Sequence, residues 1–385
     1  MKKLVMVSEE SFFSGMVKSG MAEIVDSLAN SLSMLYSVTV VCQDGQGLFL
    51  KAGCKGRKVE SGVRSCQFSN VTYYTITPAL WAEKAARIVN LLAPDILHNF
   101  AEPDLLSRLS MRPSRSIYTF DNIDTLNGKE RYLLNYDAVS TNSSVYANEL
   151  LLAGDMLSKC LSNVNFIGIP NGVLDNVLTP EKGLLIDSKY NALDQTGKRS
   201  CKNRLMNMYK LYGNPFICLY MGELTDRAGI DLVIDASKKI QDMGGITIVC
   251  GHGSSLYEKQ LNDLNGNYGI RYTHKLATPI HAIPMLAGAD FFLRPSRKEA
   301  GCLIPLTACK YGAIPIVTSV GGLADNFNND NAIIINNGDI SSALETACSL
   351  YADEKRLTDL RRKCMEQDFS WNTRKSGYIE LYESI

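Results

Sequence analysis

Short apolar runs recur along the chain with amphipathic stretches of helical period between them. Residues 4–7 read as a buried strand, 11–19 as a loop of small residues, 21–35 as an amphipathic helix and 38–42 as the next strand. Strand, loop, helix and strand make a βαβ unit, the repeat of a doubly wound parallel sheet that binds ligands at the carboxyl ends of its strands. Residues 45–80 pattern poorly apart from a β-like run at 71–76. A helix at 81–93, a strand at 96–100, a helix after Pro103 and a strand at 116–120 continue the alternation. A turn signal at Asn171-Gly172 and a polar stretch from 178 to 204 then separate this series from a second one, which a helix at 202–211 introduces. The second series holds strands at 215–221, 246–250, 270–275, 314–318 and 332–335, a helix and strand between 284 and 293, and a helix at 340–351.

Two series in 385 residues predict two α/β domains, since one core rarely grows that large. Lys+Arg and Asp+Glu balance at 40 each, so bulk charge gives no reason to expect a nucleic-acid or membrane partner. The 11 cysteines contain no Cys-x-x-Cys pair and the 4 histidines do not cluster with them, which predicts reduced thiols, a cytoplasmic setting and no zinc site. The basic and apolar start, Met1-Lys-Lys-Leu-Val-Met-Val, meets Ser8-Glu9-Glu10 at once and reads as a first strand rather than a leader or membrane anchor.

The densest chemistry lies between Arg294 and Asp325. Glu299 stands in a turn of small residues, an apolar run at 303–311 predicts a buried helix, Gly312 turns the chain, and the strand at 314–318 stops at Gly321-Gly322. A turn leading into a helix N-terminus suits an anion, because the free amides of a first helical turn point outward. Pro295-Ser-Arg-Lys-Glu299, Lys310-Tyr-Gly-Ala-Ile-Pro-Ile-Val317 and Gly321-Gly-Leu-Ala-Asp325 together resemble the donor-site segment of bacterial glycogen synthases and plant starch synthases. These are retaining glycosyltransferases of the GT-B fold. The resemblance implies an α/β GT-B architecture, two Rossmann-like doubly wound domains facing a central cleft. An acceptor-side domain would span 1–173, with a terminal helix at 372–385 packing back on it after Phe369-Ser-Trp. A linker or hinge would occupy 174–214 and the donor domain 215–371.

The same resemblance implies site residues. Glu299 would hold hydroxyls of the transferred sugar. Asp121 and Asn122 lie where the family has a histidine and asparagine facing that sugar, and His98 keeps only the first histidine of a further family motif. Lys18, Ser19 and Gly20 match the lysine and glycine loop that meets the donor diphosphate. Gly251 and Gly253 fall beside the nucleoside, and Cys302, Leu303 and Ile304 supply the amides of an anion pocket, with Ile304 in place of a phosphate-binding threonine. On chemistry alone, Lys18 and Glu299 read as solvated loop charges and Asp121 as a strand-end turn residue.

The departure that matters most lies after residue 221. The family's diphosphate-neutralising arginine and lysine fall on Glu223 and Ala228, with Arg227 one residue early. Three readings follow: Arg227 has taken over, other cations such as Lys18, Arg294, Arg297 or Lys298 supply the charge, or the chain no longer transfers sugar. The leading expectation is a retaining glycosyltransferase that moves a hexose from a nucleotide-diphosphate sugar, UDP- or ADP-linked, to a hydroxyl acceptor. No metal or other cofactor is expected. The acceptor could be a glycan, a small molecule, a protein or a modified nucleic-acid base, and the alternative class is a GT-B binding protein without catalysis.

Overall fold

A computed structural model describes residues 1–45, 56–173, 179–267, 269–274 and 279–385. The chain divides into two compact units, Met1–Leu174 with Phe369–Ile385, and Asp175–Asp368.

Unit 1 is built on a nine-stranded sheet among the described residues, ordered β3-β4-β5-β2-β1-β6-β7-β8-β9. Its strands are β1 (Lys3–Val7), β2 (Ser37–Gln43), β3 (Arg57–Glu60), β4 (Val63–Phe68), β5 (Val71–Ile76), β6 (Ile96–Asn99), β7 (Arg115–Phe120), β8 (Ala138–Thr141) and β9 (Phe166–Gly168). β1 pairs in parallel with β2 on one side and β6 on the other. Leu4 to Val7 are buried on both faces, which is why they form an unbroken apolar run. Chain order reverses about β1, so its carboxyl end is a topological switch point. Helix α1 (Met21–Leu32) follows, burying Met21, Ile24, Val25, Leu28 and Leu32. The antiparallel hairpin β3–β4 was not legible: its residues are mostly charged or exposed, and it closes through Gly62 at φ +72°. Helices α2 (Trp81–Leu92), α3 (Ser144–Leu152) and α4 (Met156–Leu161) complete the alternation, the last two started by Ser143 and Asp155 side chains that cap amides of the first turn. The helix expected after Pro103 is a 3₁₀ turn, Pro103–Arg108.

The chain's end belongs to unit 1. The Val173 amide donates to Phe369 O at 2.9 Å, and the terminal helix Trp371–Ser384 packs on α1 and the sheet. Its Tyr382 hydroxyl lies 2.7 Å from His98 Nδ1, while His98 Nε2 lies 2.6 Å from Thr119 Oγ1. Burial pushes the imidazole down to about 3, so His98 is a neutral core link between β6, β7 and the terminal helix.

Unit 2 carries a six-stranded sheet among the described residues, ordered β12-β11-β10-β13-β14-β15 and parallel throughout. The strands are β10 (Phe216–Met221), β11 (Gly245–Cys250), β12 (Ile270–Thr273), β13 (Phe291–Arg294), β14 (Ile314–Thr318) and β15 (Ile333–Ile335). Order reverses between β10 and β13, giving a second switch point.

One expectation needs correction here. The described part of the supposed linker, 179–214, is not a linker: Tyr190, Cys201, Leu205, Met206 and Leu211 join the unit 2 core with Phe292 and Tyr311. Helix α5 (Thr196–Met208) also sinks two lysines, Lys198 Nζ donating to Ala287 O and Tyr311 O at 3.0 and 2.8 Å, and Lys202 Nζ pairing with Asp290 at 2.6 Å. Those buried, partnered lysines made the segment look polar. The supposed hinge at 174–178 and the strand end at Lys275 lie outside the described residues. The strand at 314–318 stops before Gly321-Gly322, as expected, and the glycines open a short helix, Gly321–Asn326; a helix at Glu354–Met365 was not foreseen.

Candidate functional site

The carboxyl ends of β10 and β13 present two loops side by side. β13 ends in Arg294, whose Nε donates to Glu299 Oε2 at 2.8 Å; Ser296 Oγ donates to the same oxygen at 3.0 Å. Both side chains are mostly shielded, at 14% and 12% exposure. Glu299 Oε1 therefore has no hydrogen-bond partner among the described residues, while its sister oxygen is held twice. Burial works against the Arg294 charge, but Glu299 outweighs it and raises the guanidinium further above its usual value. The guanidinium lies 5.7 Å over the Tyr220 ring, and a Cβ on Gly222, at φ +148°, would come within 2.5 Å of Nη1. Gly222 is thus required twice, by its backbone angle and by the arginine above it. Nη1 is buried with no hydrogen-bond partner among the described residues. Leaving such a donor unmade costs about 1–3 kcal/mol.

The loop after β10 answers the charge question that Glu223 raised. Glu223 Oε2 accepts from Arg227 Nη2 at 2.9 Å, in a pair whose side chains are 55% and 35% exposed, so the two charges compensate each other. Ala228 is buried, its amide bonded to Thr225 O, and it carries no charge. Arg297 grips Asp231 with two nitrogens at 2.7 and 2.6 Å, and Gly229 lets the loops close, since a Cβ there would lie 2.1 Å from Pro295 O. Gly251 and Gly253 pack against the same loop: Cβ atoms on them would fall 1.9 Å from Gly222 O and 2.7 Å from Leu224 O. Their amides are bonded to Thr273 O and Glu258 Oε1. The glycines are explained by main-chain packing.

Helix α6 (Leu303–Lys310) begins beside these loops, with Cys302 at its N-cap making no side-chain cap bond. The first-turn amides of Leu303 and Ile304 thus lack intrahelical partners, and the position favours negative charge. Cys302 is buried and its thiol faces Gly322 O at 3.2 Å, whereas the Gly322 amide donates to Glu299 O at 2.8 Å. This fixes the turn between Glu299 and the helix. Sequence reasoning ranked Arg294 only among several spare cations and passed over Gly222, Ser296 and Tyr220; a basic residue ending an apolar strand, Phe291–Arg294, was the available signal.

In unit 1 the residues expected to meet phosphate are already engaged. Glu10 Oε2 accepts from the Lys18 and Ser19 amides at 2.7 and 2.6 Å, and Oε1 accepts from Ser19 Oγ at 2.9 Å. Lys18 Nζ pairs with Glu9 at 3.0 Å. Gly20 is the N-cap of α1, with helical angles. Asn122 caps the turn Ile123–Leu126 by accepting from the Asp124 amide at 3.0 Å, and Asp121 sits half-buried at the end of β7. No group of three His, Cys, Asp or Glu side chains that could hold a metal occurs among the described residues.

Comparisons with known proteins give a family match for part of the chain, relatives by sequence and likenesses in fold. Residues 202–368 match the family described as Glycosyl transferases group 1. The glycogen synthase of Pasteurella multocida is 33% identical over 275 residues, covering 65% of this chain and 56% of its own. That of Thermodesulfovibrio yellowstonii is 32% identical over 270 residues, covering 66% and 53%. The chain spans about half the length of these curated relatives. Among solved structures, the catalytic domain of starch synthase IV from Arabidopsis thaliana, bound to ADP and acarbose, has a TM-score of 0.86 at 19% identity, covering 100% of this chain and 99% of its own. Anabaena HepE, in complex with UDP and glucose, has a TM-score of 0.67 at 12% identity, with full coverage of both chains. Residues 202–368 are a glycosyl transferases group 1 domain, in a chain with the α/β GT-B fold.

Proposed function

We propose that the chain is a retaining glycosyltransferase, moving a hexose from a nucleotide-diphosphate sugar to a hydroxyl acceptor. The observation that carries this reading is Glu299: one carboxylate oxygen fixed by Arg294 and Ser296, the other open, next to an uncapped helix N-terminus within the matched domain. An open carboxylate oxygen accepts from sugar hydroxyls, and first-turn amides receive phosphate. In the transfer, the bond from the anomeric carbon to the phosphate oxygen breaks with its electron pair on that oxygen. The acceptor oxygen bonds the same face of that carbon, and its proton passes to the departing phosphate. No protein base is then needed, and stabilising the leaving charge is the main task. The relatives' names and the ADP and UDP bound by the two structural neighbours support a nucleotide-linked donor. Asp121, Asn122 and Lys18 are kept in the proposal on the resemblance alone.

A thermal-shift titration against UDP, ADP, GDP and their glucose conjugates tests this. A ligand at one hundred times its dissociation constant stabilises the folded state by about 2.7 kcal/mol, a shift of a few degrees. One nucleotide should shift the wild type, its glucose conjugate should shift it further, and Glu299→Ala should lose the sugar's increment without losing the nucleotide's shift. Absence of a shift with every nucleotide and conjugate overturns the reading. The Arg227–Glu223 pairing favours the second reading, a non-catalytic binder, which would give a shift with no transfer of labelled glucose to any acceptor.

A further inference from the structure

Among the described residues, the carboxyl end of β13 and the loops after β10 and β13 hold four basic side chains, and three are accounted for. Arg227 is paired with Glu223, Arg297 is held by two nitrogens on Asp231, and Lys298 is exposed to solvent, where a flexible charge contributes little. Arg294 differs from all of them. Its stem leaves the last position of a buried strand, its Nε is fixed on one oxygen of Glu299, and its plane lies over Tyr220. Neither Nη1 nor Nη2 has a hydrogen-bond partner among the described residues; Nη1 is fully shielded against Gly222, so Nη2 is the nitrogen left to meet a ligand. A guanidinium so immobilised has already lost its rotamer freedom, so a phosphoryl oxygen that accepts from Nη2 orders nothing further in the side chain.

We propose that Arg294, and not Arg227, is the residue that binds the phosphoryl groups at this site, and that the same side chain positions Glu299 with its free oxygen toward the ligand. Only the identity of the anion as a nucleoside diphosphate rests on the function proposed above. The Arg294–Glu299 pair is formally neutral, so the attraction comes from directed N–H donors and is opposed by the adjacent carboxylate. Two substitutions therefore act with opposite sign. Removing the guanidinium weakens anion binding, and neutralising the carboxylate strengthens it.

The test is calorimetric titration of the full chain with inorganic pyrophosphate, UDP and ADP. Glu299→Gln keeps an acceptor for Nε and should bind pyrophosphate severalfold more tightly than wild type. Arg294→Met should bind it at least tenfold more weakly. Because Arg294→Met alone leaves Glu299 buried without its cation and could unfold, the double variant Arg294→Met/Glu299→Met is measured beside it; it should melt close to wild type and show the same loss. Arg227→Ala should change affinity by less than threefold. Equal pyrophosphate affinity in wild type and in the folded double variant overturns the proposal, as does a tenfold loss in Arg227→Ala. Binding of pyrophosphate but of no nucleotide, still lost with Arg294, leaves Arg294 as the anion residue and removes the nucleotide-sugar reading. No binding of any of the three by wild type overturns both.

Discussion

The two switch points have the same topology and opposite economies of hydrogen bonding. At the end of β1, carboxylates of the chain hold the following loop: Glu10 takes the amides of Lys18 and Ser19, Glu9 takes the Lys18 ammonium, and Asp26 on α1 takes the Ser11 hydroxyl and the Phe13 amide. At the ends of β10 and β13, the loops are locked by main chain against main chain at Gly229, Gly251 and Gly253, and a guanidinium keeps nitrogens unpartnered. Both loops read as anion-receiving in sequence. The difference teaches that readiness for a ligand lies in the donors a fold leaves unused, which a motif does not report.

The largest effect should come from breaking the main-chain lock. A methyl at Gly251 would lie 1.9 Å from Gly222 O, and neither backbone can yield without separating the β10 and β11 loops. Gly251→Ala should cost at least about 3 kcal/mol, measured by urea denaturation, and should also abolish pyrophosphate binding. A loss below 1 kcal/mol would mean that these loops are not locked and that the contrast with unit 1 is false.

A second prediction concerns pH, since the unit 1 loop is held by a buried carboxyl, Asp26, whose titration is moved to near neutrality. Burial raises Asp26 to about 7, against the lowering effects of Ser11 and the Phe13 amide; around it the Cys42 thiol and Tyr73 phenol are pushed up by burial and stay protonated. Between about pH 4 and 7 the folded chain keeps a proton that the unfolded chain has released, so stability falls as pH rises through that window and levels off above it. The span corresponds to about 4 kcal/mol. Asp26→Asn should remove this slope, raising stability at pH 8 and leaving it nearly unchanged at pH 4. Parallel melting curves for the two proteins across pH 4–8 would place Asp26 outside the device.

These contrasts also mark what was legible. Parallel strands buried on both faces, such as 216–221 and 314–318, declare themselves as apolar runs, so the α/β order, both sheets and the Glu299 turn could be read. Elements whose stabilising residues are polar could not. The helix Thr196–Met208 buries lysines on carbonyls and on Asp290, and the hairpin at 57–68 has little buried face. Pairing was invisible for the same reason. That Glu223 neutralises Arg227, or that Glu10 fills the Lys18–Ser19 amides, depends on rotamers that residue spacing does not specify.

The smallest effect is the sharpest test of the filled loop. Glu10 is at the surface, so its three hydrogen bonds there contribute about 1 kcal/mol or less to stability. Glu10→Ala should therefore melt within a few degrees of wild type. It should also expose the Lys18 and Ser19 amides ahead of α1, a geometry that receives anions. Placed on the Arg294→Met/Glu299→Met background, where pyrophosphate binding at the unit 2 site is removed, Glu10→Ala should restore weak pyrophosphate binding that 0.5 M salt suppresses, because this loop is exposed and its field is screened. A variant that melts far below wild type and gains no pyrophosphate affinity would show Glu10 to be a structural clamp. The two switch points would then differ in kind, one built to close a loop and the other to hold an anion, rather than in whether the same device is occupied.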